Sequence, residues 1–141
     1  MEKQRIQFYN KWNGRPLQDD GSTVSKAYRG FQRAFKNALA DMAADLGARL
    51  AWFDSGHYDE SAMFERGGKF VYLNHTNNVF RRSVPSFDST LVRTAQHEKD
   101  YRGGTNMFVR WPYLTNEIDR LLGGRGEVED LDLFPFEMVN D

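Results

Sequence analysis

The chain contains no cysteine. That absence removes disulfides, thiolate metal ligands and cysteine nucleophiles together, and makes an intracellular, cytoplasmic setting the expectation. Long apolar runs are missing too. No segment is long enough to span a bilayer, and the opening "MEKQRIQFYNKWNG" has no apolar core of signal-peptide length. Only three histidines occur, His57, His75 and His97, and their spacing matches no compact metal motif. None of the seven serines lies in a Gly-x-Ser-x-Gly elbow, no P-loop spacing occurs, and no paired carboxylates announce a hydrolase. The expectation is a protein that is not an enzyme, without cofactor, metal or membrane partner.

What is present suffices for a folded body. The 141 residues correspond to one ordinary domain, able to bury a core without covalent or metal staples. Eleven Phe, six Tyr and three Trp are interspersed with charge, which argues against disorder of the whole chain. The net charge of -1 conceals an asymmetry: residues 1–49 carry nine Lys or Arg against five Asp or Glu, and residues 111–141 carry two against eight. Such polarity concerns partners and steering more than fold.

Val24, Tyr28, Phe31, Phe35, Ala38, Leu39, Met42 and Leu46 recur at steps that form one apolar stripe on a helix. Ser22 or Thr23 would cap its start and Gly47 its end. Short strand-like segments follow. "RLAWFDS" is extended in character, and "SAMFERGGKFVYLN" reads as a hairpin turning at Gly67-Gly68. "STLVRTA" and "MFVRWPY" are further strands, "RRSVPSF" is an irregular connection, and "RIQFY" would add a strand near the start. A short helix is expected after Thr115, ending at Gly123. The predicted fold is α+β: a long N-terminal helix packed on an antiparallel sheet of three to five strands, then a short C-terminal helix and an acidic tail. The domain would cover residues 1–126 and the acidic-hydrophobic tail 127–141, with Leu133, Phe134 and Phe136 docking on the body.

Two groups of residues are candidates for function. Lys26, Arg29, Arg33 and Lys36 sit at steps of three, four and three, so they share one helix face, half a turn from the apolar stripe. That is either a solvated face or a contact surface for phosphates or an acidic protein. The second group is "RTAQHEKDYRGGTN", with seven ionisable side chains between Arg93 and Arg102, followed by Gly103-Gly104 and Asn106. Arg93, Lys99 and Arg102 with the glycine amides could form an anion pocket, Tyr101 stacking on a base. Alternatively the loop is internally paired, Arg93 or Arg102 bonding Asp100 or Glu98. His97, oriented by Glu98 or Asp100, would be the candidate general base.

The order of long helix, short strand, glycine hairpin and "LVRTAQHEKDYRGGTN" resembles small proteins of phages and mobile elements of gut bacteria, among them type II-A anti-CRISPR proteins. The likeness covers about residues 24–110 and rests on Arg93-Thr94-Ala95, His97 to Tyr101, Gly103-Gly104 and Asn106. It implies a bacterial host cell and a non-enzymatic inhibitor that binds a CRISPR effector nuclease or its guide RNA complex and blocks nucleic-acid loading or cleavage. Partner-binding residues on that reading are Lys26, Arg29, Arg33, Lys36, Arg93, His97, Lys99, Asp100, Arg102 and Asn106. Two alternatives stand beside it: a sponge for an anionic signalling nucleotide, and a small nucleic-acid-binding protein.

Overall fold

The computed structural model describes residues 11–12, 26–77, 83–101 and 104–124. The expected caps Ser22 and Thr23, the "RIQFY" strand, Arg102, Gly103 and the tail from residue 127 lie outside the described residues.

Helix α1, Lys26–Asp45, follows the apolar stripe and buries Tyr28, Phe31, Phe35, Leu39 and Met42. Its end is set by Gly47, whose φ of 64° suits glycine. The Ala48 amide donates to the Ala43 carbonyl at 2.8 Å and the Gly47 amide to Ala44 at 3.2 Å, the paired bonds of a Schellman cap.

Five antiparallel strands follow in meander order: β1 (Arg49–Ser55), β2 (Asp59–Arg66), β3 (Lys69–Thr76), β4 (Ser89–Ala95) and β5 (Met107–Arg110). Gly67 and Gly68, at φ 59° and 83°, make the two-residue turn between β2 and β3. A register shift between Leu50 and Trp52 bends β1. The expected strand "MFVRWPY" stops at Arg110. Pro112 has no amide hydrogen for a ladder, and Trp111–Tyr113 turn as a 3-10 helix instead. Helix α2, Leu114–Leu121, begins two residues earlier than expected, and Gly123 lies just beyond it at φ 110°.

The two faces of the sheet differ in chemistry. Along β2 and β3, Ala62, Phe64, Val71 and Leu73 face the helices and are buried. They meet the α1 stripe, Trp111, and the Leu114, Ile118 and Leu122 row of the C-terminal helix. Phe31 lies 5.5 Å from Phe35, 5.3 Å from Phe87 and 6.1 Å from Trp111, ring centre to ring centre. Such aromatic contacts contribute about 0.5–1.5 kcal/mol each beyond the burial of area. Helix α2 is fastened by Arg66, which donates to the Asp119 carboxylate at 2.7 Å and to the Leu46 carbonyl at 2.9 Å. The other sheet face carries Trp52, Asp59, Ser61, Met63, Tyr72, Asn74, Thr76, Leu91 and Arg93 in register. Met63, between Trp52 and Tyr72, is fully buried yet stands outside the main core. This second face therefore has a cover of its own.

Candidate functional site

The basic residues of α1 fall where the helical period places them. Lys26, Arg29, Arg33 and Lys36 are all exposed, and among the described residues none forms an ion pair. Arg29 donates to Gln32 Oε1 at 3.3 Å. Arg29, Arg33 and Lys36 flank a shallow cleft of about 260 Å³ between α1 and β1, floored by Gln32, Phe53 and Ser55. The ten steps from Lys26 to Lys36 extend about 15 Å along the helix.

The described residues of the Arg93-to-Asn106 segment form a loop on the opposite face of the sheet. Arg93, on β4, has its guanidinium carbon 4.3 Å above the centre of the Tyr72 ring, in cation–π geometry. Its Nη1 donates to Asn106 Oδ1 at 3.1 Å and its Nη2 to the Tyr101 carbonyl. Its Nε is buried without a hydrogen-bond partner. The acids of the loop are engaged elsewhere. Glu98 accepts from Arg49 at 3.0 Å, and Asp100 accepts from the Gln96 amide at 2.8 Å. The expected Arg93 pairing with Asp100 or Glu98 is thus replaced by neutral acceptors. The Trp52 indole donates to the Glu98 carbonyl at 2.7 Å and ties the loop across the sheet. Tyr101, still 55% exposed, rests against Trp52 and Tyr72.

Beneath this loop a groove of about 600 Å³ runs along the sheet. Arg93, Tyr72, Tyr101 and Asn106 stand at one end, with Asn74, Leu91, Thr76, Asp59 and His57 along the rest. The sequence suggests a pocket of Arg93, Lys99 and Arg102. Lys99 is exposed and does not line the groove, and Arg102 lies outside the described residues. Among the described residues the amides Asn74 and Asn106 line it with Arg93, a pattern hidden until strand register is known.

His97 differs from the general-base arrangement considered for it. It is exposed, and its Nδ1 accepts the Lys99 amide at 3.2 Å, so the ring nitrogen faces the backbone of its own loop rather than a carboxylate. The other two histidines are far apart in environment. His57 lines the groove, whereas His75 is fully buried, with Nδ1 2.6 Å from Glu60 Oε1 and Nε2 2.6 Å from the Phe87 carbonyl. Glu60 also accepts from Tyr28 at 3.2 Å and from Gln32 at 2.8 Å. Burial, then the adjacent Glu60 carboxylate, hold the Tyr28 phenol protonated well above its ordinary range. Among the described residues no three His, Asp or Glu side chains are grouped to hold a metal ion. Nor is any described helix long and apolar enough to cross a membrane.

No protein-family model, curated protein or solved structure matches the chain.

Proposed function

We propose that this protein is a non-enzymatic inhibitor that docks the basic face of α1 on a polyanionic surface, that of a CRISPR effector nuclease carrying its guide RNA. The observation that carries this reading is the exposed row Lys26, Arg29, Arg33 and Lys36, four cations on one face without described acidic partners. Phosphates meeting that row would release counterions, so the contact gains affinity without base recognition. Phe53, in the floor of the adjoining cleft, gives the surface an apolar contact beside the charges. The partner class comes from the resemblance of the "LVRTAQHEKDYRGGTN" segment, and the surface from the helix. The placement of Arg93 to Asn106 on the opposite sheet face separates that segment from the docking row, so the two do not form one continuous epitope.

The test is retention of purified nuclease, with and without guide RNA, by immobilised native protein and by a Lys26→Ala, Arg29→Ala, Arg33→Ala, Lys36→Ala variant of native melting behaviour. Retention of the guide-loaded nuclease by the native chain and its loss in the variant is the expected result. Equal retention by both removes α1 from the interface, and retention by neither removes this partner.

A further inference from the structure

We propose that the groove on the outer sheet face is a binding site for a phosphate monoester of a sugar or nucleoside. This does not rest on the docking of α1, which uses the other side of the molecule.

The anion end is defined by donors whose acceptors are already assigned. Arg93 cannot accept a hydrogen bond, so its contact at 3.1 Å fixes Asn106 with Oδ1 toward the guanidinium and Nδ2 free to donate. Thr76 Oγ1 donates to Asn74 Oδ1 at 2.9 Å, and in this arrangement Asn74 Nδ2 is left as a donor. Neither Nδ2 has a hydrogen-bond partner among the described residues. Asn74 is a diagonal cross-strand neighbour of Arg93 on the same sheet face, a separation of about 7 Å. Two amide donors and one guanidinium held only by neutral partners therefore line one wall. A phosphate monoester offers three acceptor oxygens to such a set. The Tyr72 ring beneath the guanidinium and the Tyr101 and Asn106 contacts hold Arg93 in place before any ligand arrives, which lowers the ordering cost of binding.

The far end has the opposite polarity. Asp59 pairs across from Thr76 and is the diagonal cross-strand neighbour of Asn74 on the same sheet face, about 7 Å from it. Its carboxylate packs close over Gly56 in the β1–β2 turn, where an added Cβ would be 2.3 Å from Oδ1. A carboxylate at that distance from an anion site accepts hydroxyl donors from a sugar, as acidic side chains do for ribose. The volume of about 600 Å³ lies within the range of small-molecule sites.

Calorimetric titration with ribose 5-phosphate, adenosine monophosphate and inorganic phosphate tests the assignment. Both esters should bind, and inorganic phosphate should bind at least about tenfold more weakly, having no hydroxyls for the Asp59 end. Binding by the nucleotide alone would specify the nucleoside form; binding by both would assign the shared sugar phosphate. Arg93→Gln should weaken the esters at least about tenfold. Because Arg93 also anchors the loop, Asn74→Asp serves as a second variant: it keeps the acceptor for Thr76 and places a negative charge against the phosphate, with the same expected loss. No binding of any ester, equal affinity for inorganic phosphate, or binding unchanged in Asn74→Asp would overturn the proposal.

Discussion

At Glu60 three side chains converge on one fully buried carboxylate: the Tyr28 hydroxyl, the Gln32 amide and the His75 imidazole. His75 has an oxygen facing each ring nitrogen, Glu60 Oε1 at Nδ1 and the Phe87 carbonyl at Nε2, so both ends of the imidazole are tied into the cluster. Removing one partner strands the rest. Glu60→Leu or His75→Leu should each cost about 3–5 kcal/mol in urea unfolding, and the double replacement should fall short of their sum by at least about 1 kcal/mol. Additive losses would mean the pair acts as separate groups. This cluster was legible in part. The two-residue glycine turn fixes the β2–β3 register, and following it outward from Arg66 and Lys69 pairs Glu60 with His75 on the face of Ala62 and Leu73. Gln32 also falls on the apolar stripe of α1, four residues after Tyr28 and three before Phe35. What spacing alone did not show was the closing bond from the Phe87 carbonyl, which depends on the path of the β3–β4 connection. Glu65 gives a surface counterpart. The Gly68 amide, then Arg49, hold its carboxyl below the usual range. Its depressed folded pKa contributes stability above the unfolded value, lost as pH falls through the folded one. The stability difference between the native chain and Glu65→Gln should therefore be present at pH 7 and vanish on acidification below about pH 4. A difference independent of pH would show that the carboxylate charge is not its source.

The β4–β5 connection and α2 are elements placed by single residues. Gly104 has φ 74°, and a Cβ on it would lie 2.4 Å from the Thr94 carbonyl oxygen. Gly67 has φ 59° with nothing within 4 Å of a Cβ. Gly67→Ala should cost only the left-handed backbone preference, about 1–2 kcal/mol, whereas Gly104→Ala must also displace the loop from the sheet. Faster amide exchange across residues 96–101 in Gly104→Ala, absent in Gly67→Ala, is the expected signature. Unaltered exchange would mean the loop is held by its side-chain contacts alone. Arg66 makes four bonds to the α1 end and to α2. Its replacement by Ala leaves the buried Asp119 carboxylate without this guanidinium and should cost about 3 kcal/mol, read as a lower urea midpoint. The strands and helices themselves were readable, because apolar periodicity and glycine turns act locally. The loop's course was not, since Trp52, Tyr72 and Asn106 come together only once the five strands are laid side by side.

At the scale of the whole molecule, the sheet divides two chemistries. One side carries α1, its apolar row turned inward and Lys26, Arg29, Arg33 and Lys36 left outward; the other carries the Arg93 groove under its loop. The basic row could be read from residue spacing, because helix period fixes both faces at once. The separation of that row from the Arg93 segment could not, since it follows from which sheet face the helix covers. Docking on phosphates makes a quantitative demand on electrostatics. Affinity for guide-loaded nuclease should fall as salt rises, and each phosphate no longer neutralised should reduce the slope of log affinity against log salt by about one. The most direct measurement is that slope for the native protein and for the Lys26→Ala, Arg29→Ala, Arg33→Ala, Lys36→Ala variant. A slope shallower by about three to four in the variant is expected, with weaker binding at low salt; parallel lines of equal affinity would contradict docking through this row.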